Sequence, residues 1–222
     1  MHDTKKQDKQ EYPFYYDQFD FSLLQAGLSE QLVPSSALTV EARELIAKLA
    51  FLYQLTPLDM QKVVLLSLDD DLHLPADRLK KAAADYYKLT ISKDAPKLTK
   101  TFTEPVPLTE QLTKEQELLH YLETTPPIQV LRDINKGKEP IPASVELAEQ
   151  LMTTYGMPTG VVNVLLEYVM LSTDMKLPRK YVEQIADHWN RKNLQTAKDA
   201  MELARKERDK YAQWKAESTA KQ

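Results

Sequence analysis

Tyr181, Ile185 and Trp189 stand four residues apart and form the chain's most chemically suggestive pattern. Steps of four keep all three on one slowly drifting stripe of a helix. Lys176, Arg179, Lys180, Arg191 and Lys192 surround them. The spacing supports two readings. In one the stripe is core, packing its helix against the apolar run VVNVLLEYVML at 161–171. In the other an aromatic edge flanked by cations meets nucleic acid, with Lys and Arg on phosphates and an unpaired base stacked on a partly open ring. The two readings combine if Ile185 is buried and Tyr181 or Trp189 lies at the rim.

A second cationic group follows in Lys198, Arg205, Lys206, Arg208, Lys210 and Lys215. Asp199, Glu202, Glu207 and Asp209 alternate with it, and pairs such as Glu202–Lys206 have helical i,i+4 spacing. This is either a solvated helix held by such pairs or a basic surface. Its apolar positions (Ala197, Ala200, Met201, Ala204, Tyr211, Trp214) are mostly small. That weak face predicts poor docking, and a helix that folds on a partner or on DNA.

The sequence holds little for catalysis. It has no Gly-rich phosphate loop, no dinucleotide fingerprint and no serine in a nucleophile elbow. The four histidines, His2, His73, His120 and His188, are far apart. Asp69, Asp70 and Asp71 with His73 read as a solvated helix end, because the glycine and distant Glu of a calcium loop are missing. No catalytic residue, metal or cofactor is expected, and the chain does not read as an enzyme. With no cysteine there is no disulfide framework, which fits a reducing, cytosolic setting. No apolar run approaches the ~20 residues of a membrane span. The net charge of −4 hides an asymmetry. Residues 176–215 hold eleven bases and six acids, a balance of +5, whereas residues 1–175 hold 17 and 26, a balance of −9. A basic end on an acidic body is a partner signal.

These residues must be positioned by helices. Only four glycines occur, and the chain is rich in Leu, Ala, Glu and Lys. It also repeats itself. Residues 53–89 and 155–192 each open on Tyr, pass an apolar stretch and a polar loop, reach Leu-Pro, and continue as an amphipathic helix. Tyr53 pairs with Tyr155 and Leu74-Pro75 with Leu177-Pro178, offsets of 102 and 103. The expected fold is all-α: two small helical bundles related by internal duplication, plus a charged C-terminal helix. The expected layout is a polar N-terminal segment at 1–18, a first helical domain at 19–91, a linker at 92–110, a second helical domain at 111–194 and a basic helix and tail at 195–222. Thr56-Pro57 predicts a helix start, Thr113 with Gln116 a capping box, and 158–172 a buried central helix. The polar opening MHDTKKQDKQEY reads as a linker, as in a fragment of something longer.

The stretch GVVNVLLEYVMLSTDMKLPRKYVEQIADHWNRKNLQTAKDAMELA resembles the C-terminal domain of the DnaD/DnaB primosomal family of low-G+C Gram-positive bacteria. Tyr181, Ile185 and Trp189 meet that family's Tyr-x-x-x-Ile-x-x-x-Trp signature, and the likeness runs over about 113–204. A degenerate upstream copy is similar to the tandem arrangement of the DnaB-type members, the initiation and membrane-attachment proteins. In that copy Arg78, Ala82 and Tyr86 occupy the signature positions, which points to packing or self-association in place of DNA contact. The family's N-terminal winged-helix region is not found, in keeping with a fragment. The resemblance implies a helicase-loading, replication-initiation role with binding of single- and double-stranded DNA at little sequence specificity. The residues so implicated are Lys176, Arg179, Lys180, Tyr181, Ile185, Trp189, Arg191, Lys192, Lys198, Arg205 and Lys206. Implied partners are a DnaD-type protein, a helicase-loader ATPase and the replicative helicase, with self-association through the repeats as a further option. The implied location is cytoplasmic and nucleoid-associated, with only peripheral membrane contact. The alternative is a primosomal interaction scaffold that does not touch DNA, its acidic first unit binding proteins.

Overall fold

The structure, a computed structural model, describes residues 13–92 and 113–220, without the side chains of 91–92 and 211–220. Among the described residues all regular structure is helical, as expected. They divide into two compact units, one of residues 13–51 and 55–92 and one of 52–54 and 113–220. Apart from Ser92, the expected linker at 92–110 lies outside the described residues, as do residues 1–12 of the expected polar segment.

The first unit contains α1 (Phe14–Gln18), α2 (Phe21–Ala26), a 3-10 turn at Ser35–Ala37, α3 (Val40–Tyr53) up to Phe51, α4 (Pro57–Ser67) and α5 (Ala76–Ser92). Its packing begins before Phe19, earlier than a polar segment at 1–18 allows. Tyr15 is buried and stacks on Phe51 at 5.1 Å between centroids, and Phe14 meets the same ring edge-on. Burial, with Glu44 adding to it, pushes the Tyr15 hydroxyl up to about 12. Thr56 caps α4 as expected, within a full capping box. Its Oγ1 accepts from the Asp59 N–H, and Asp59 Oδ2 accepts from the Thr56 N–H at 3.0 Å. The other Asp59 oxygen accepts from the Tyr86 hydroxyl at 2.7 Å, tying α5 to α4. Tyr86 therefore serves packing within the α4–α5 hairpin.

The second unit contains α6 (Lys114–Thr124), α7 (Pro127–Ile134), α8 (Pro142–Thr153), α9 (Thr159–Ser172), α10 (Arg179–Arg191) and α11 (Ala197–Ala220). The expected capping box at Thr113 and Gln116 opens α6. Helix α9 is the expected buried centre, and it packs against α6, α7, α8, α10 and α11. Within its core Asn163 is a fully buried polar residue. The Asn163 amide donates to the carbonyls of Leu122 and Thr125, both at 2.8 Å, which the end of α6 leaves without helical partners. Its Oδ1 has no partner among the described residues, so the two donors alone orient this amide.

Helix α11 departs from expectation. Its weak apolar face predicts poor docking, yet Ala197, Ala200 and Ala204 are buried and the helix packs on α9 and α6. Small side chains let the backbones approach closely, so a face with little apolar area still seats well. The expected Glu202–Lys206 pair is not among the ion pairs of the described residues. Glu207 turns inward instead, to His188 at 2.9 Å.

Two expected outcomes follow from these bonds. Asn163→Ala destabilises the protein by about 2 kcal/mol, because two buried carbonyls lose their donors. Asn163→Asp costs more at neutral pH, since it sets a carboxylate against those carbonyl oxygens. Burial there raises the new acid's folded-state pKa, so the deficit shrinks as pH falls and the protonated acid donates again. Chemical denaturation at pH 7 and pH 5 checks this, and equal, pH-independent deficits for the two variants would refute it. Asp59 behaves oppositely. Burial raises its pKa, but the bonds from Thr56 and Tyr86 and the nearby Lys62 outweigh that and leave it lowered. The stability it contributes is present above its unfolded value and is lost as pH falls below about 4. Asp59→Asn therefore flattens the acid limb of the unfolding profile.

Candidate nucleic-acid interface

Helix α10 starts after Pro178, whose fixed φ suits the residue before a first turn, and ends with Lys192 as C-cap. Its buried stripe is Val182, Ala186 and Trp189. The signature residues sit beside that stripe or within it. Trp189 is 0% exposed, Ile185 is half-buried and Tyr181 is 36% exposed. The Trp189 ring lies 6.0 Å from Tyr168 of α9, and its Nε1 donates to Glu207 at 3.4 Å. The expectation that Trp189 contacts DNA is thereby corrected, because a ring with no open surface stacks no base. Ile185, implicated in DNA binding and buried in the reading that combines core and rim, is only partly buried. Tyr181 is the one signature ring with an open edge.

The cations divide in a similar way. Arg179 turns back onto α8 and its own helix: it donates to Gln150 at 2.8 Å and stands 3.8 Å from Glu146 and 3.5 Å from Glu183. Its charge is shared with two carboxylates, which removes it from the expected set of DNA contacts. Lys180 and Arg191 lie on the outward face of α10, opposite the buried stripe. Three helical turns separate them, about 16 Å. Gln184 lies between them on the same face, a polar position that the aromatic spacing did not single out. A count of α10 at 3.6 residues per turn would have found it.

Lys176 is exposed in the α9–α10 connection. That loop turns through two left-handed residues, Asp174 at φ 53° and Met175 at φ 63°. The Thr173 hydroxyl closes it, lying 2.7 Å from the Val169 carbonyl and 2.6 Å from that of Lys176. On α11, Lys198 and Arg205 are two turns apart on one side, with Lys206 beside them, and all three are exposed. Lys176, Lys180, Arg191, Lys192, Lys198, Arg205 and Lys206 make no ion pair among the described residues. His188 bonds Glu207, joining α10 to α11. Burial pushes the Tyr168 hydroxyl up, with Tyr181 and Glu207 adding to it, so the aromatic edge adjoins the α10–α11 contact.

The remaining candidates behave as plain structure. Asp69 Oδ1 accepts from the backbone N–H groups of Asp71 and His73, at 3.0 and 2.8 Å, and so stabilises its own loop. Those bonds, reduced somewhat by desolvation, lower the Asp69 pKa. Among the described residues no group of three acidic or histidine side chains could hold a metal ion, and no helix is long and apolar enough to cross a membrane.

Residues 131–204, from α7 into α11, match a family profile described as "Replication initiation and membrane attachment". Over 196 residues the chain is 34% identical to the replicative helicase loading/DNA remodeling protein DnaB of Staphylococcus aureus. That alignment takes in 86% of this chain and 42% of the relative, so the chain spans less than half the relative's length. A crystal structure of residues 1–300 of the primosome protein DnaB from Geobacillus stearothermophilus is 46% identical over 38% of this chain and 32% of that one, with a TM-score of 0.34. On its signature helix and the matched profile, residues 131–204 form a domain of the DnaD/DnaB primosomal family, and the chain as a whole is similar to that family's staphylococcal member.

Proposed function

We propose that the second unit binds DNA through the outer faces of α10 and α11, as part of a protein that acts in replication initiation and helicase loading. The observation that carries this reading is the group of exposed cations without ion-pair partners among the described residues: Lys180 and Arg191 on α10, Lys192 at its C-cap, and Lys198, Arg205 and Lys206 on α11. Lys176 extends the group on the preceding loop. Residues 1–175 hold nine more acids than bases, so unpaired cations gathered on two consecutive helices are the natural surface for a polyanion. Lys and Arg on a convex helical face reach phosphates, and no side chain here is set to read base edges. Single- and double-stranded DNA are both substrates, with little sequence preference and steep salt dependence. Tyr181 adds a single stacking edge, which favours unpaired bases.

The implied partners fit the same role. The relative's name joins helicase loading to DNA remodeling, so a DnaD-type protein, a loader ATPase and the replicative helicase are the proposed protein partners. Membrane contact is proposed as peripheral, and the location as cytoplasmic at the nucleoid.

A second reading, an interaction scaffold in which the first unit recruits proteins, is favoured by one feature. The outer ridge of α4 carries Leu58, Leu65 and Leu66, all exposed, Leu66 by 72%. Leu89 of α5 is exposed as well. Four leucines in water on one helix hairpin suit a partner protein better than they suit DNA.

Two experiments test these readings. Fluorescence anisotropy at low and moderate salt measures affinity for unrelated single- and double-stranded oligonucleotides. Changing Arg191, Lys192, Arg205 and Lys206 together to Ala weakens binding at least about tenfold for every sequence and lowers the duplex salt slope by about 0.9 per lost phosphate contact. Unchanged affinity sinks the DNA reading. For the scaffold, Leu66→Asp abolishes capture of purified DnaD-type or loader protein after nuclease treatment and leaves DNA affinity intact. Undiminished capture removes that reading.

A further inference from the structure

Helix α11 carries three of the proposed phosphate contacts, and Ala197, Ala200 and Ala204 are its buried apolar anchors in the described part. Polar contacts add to that close packing. At its start, Glu123 reaches across from the last turn of α6, and its Oε1 accepts from the Ala197 N–H at 2.5 Å. The remaining caps are local: Thr196 Oγ1 accepts from the Asp199 N–H, and the Asp199 carboxylate accepts from the Thr196 N–H. Glu123 is thus the side chain from another helix that takes one of the donors α11 leaves free at its N-terminus, where a carboxylate is also favoured by the helix dipole.

Gly160, in the first turn of α9, has the matching geometry. A Cβ built there would lie 2.4 Å from Glu123 Oε2 and 2.6 Å from its Cδ. The backbone of Gly160 is not in the left-handed region, so the helix itself does not call for glycine, and intrinsic propensity favours alanine by about 1 kcal/mol. The missing side chain is explained by the carboxylate that occupies its space. Ten residues further on, about 15 Å along α11, Glu207 bonds His188 and Trp189 of α10. Two carboxylates therefore hold the helix, one at its start and one midway, with Lys198, Arg205 and Lys206 spaced between or beside them.

We infer that Glu123, seated in the slot left by Gly160, is the positioning residue for α11 and sets where that helix presents its cations to DNA. This rests on the DNA reading of α10 and α11. A double-mutant cycle on the full chain tests it, with two readouts: hydrogen exchange of the α11 backbone amides at 199–205, and the salt slope of duplex binding. Glu123→Ala speeds exchange across those amides and lowers the slope. Glu123→Gln keeps an acceptor oxygen and restores most of the protection. Gly160→Ala acts by displacing the carboxylate, so it reproduces Glu123→Ala alone but adds nothing to it in the double variant.

Unchanged α11 protection in Glu123→Ala overturns the proposal. So does full additivity of the two substitutions, or a Gln variant as exposed as the Ala variant. Exchange does not involve DNA, so the two ideas fail separately. A wild-type chain that does not bind DNA ends the DNA reading and leaves the exchange data to judge Glu123. Wild-type affinity and slope in Glu123→Ala end the positioning role alone.

Discussion

A helix that is apolar on every side cannot face water, and α9 is such a helix. From Thr159 to Leu166 each residue is buried, and Val169 and Met170 continue the run. Every other element of the second unit is placed by the need to cover it. Five helices surround it, and the amide in its core is turned to use, with Asn163 closing the end of α6. Because α6 ends where Asn163 holds it, Glu123 in its last turn lies within reach of the start of α11. A purely hydrophobic requirement on one helix thus sets the position of a polar cap on another.

The covering of α9 also explains why the second unit's surface is cationic where it is. Helices α10 and α11 are the last to pack on α9, and each contributes a narrow stripe: Val182, Ala186 and Trp189 from one, three alanines from the other. A narrow buried stripe leaves most of the circumference to solvent, and that is where Lys180, Arg191, Lys198, Arg205 and Lys206 lie. The bond from Glu207 to His188 and Trp189 spends the one inward-turned acid of α11 on packing, so it does not neutralise the outer face.

Local signals in the sequence were legible because their physics is local. Thr56-Pro57, the Thr113–Gln116 box and the apolar run at 161–171 each specify an element with no knowledge of the rest, and each element stands where they put it. What was hidden depends on partners far away in sequence. The spacing of Tyr181, Ile185 and Trp189 gives a stripe but not its centre. Here the true buried line runs through Val182 and Ala186, one residue on from the signature, and only Trp189 belongs to both. Arg179 looks as free as Lys180 until α8 supplies Glu146 and Gln150. The alanines of α11 carry too little hydrophobicity to announce docking, because what seats them is close backbone approach, which composition does not record.

Comparing the two hairpins, each described by itself, shows how one position changes the outcome. In α5 the buried line is Leu79, Ala83 and Tyr87, and in α10 it is Val182, Ala186 and Trp189. The first two pairs share the offset of 103 that relates Leu74-Pro75 to Leu177-Pro178. The third pair does not: an offset of 103 would set Tyr86 against Trp189, whereas Tyr87 is the ring that goes inside. Tyr86 is left at the edge, where its hydroxyl bonds Asp59 and the Lys62 ammonium lies 5.7 Å over its ring. That polar edge needs no helix laid over it. Trp189 has a larger apolar ring and a single donor, and α11 provides both the cover and the acceptor, Glu207. One hairpin thus keeps its outer ridge in water, with Leu58, Leu65 and Leu66 exposed, and the other takes on a further helix bearing cations. In this unit the signature tryptophan is structural, an indole that the basic helix covers and bonds through Glu207.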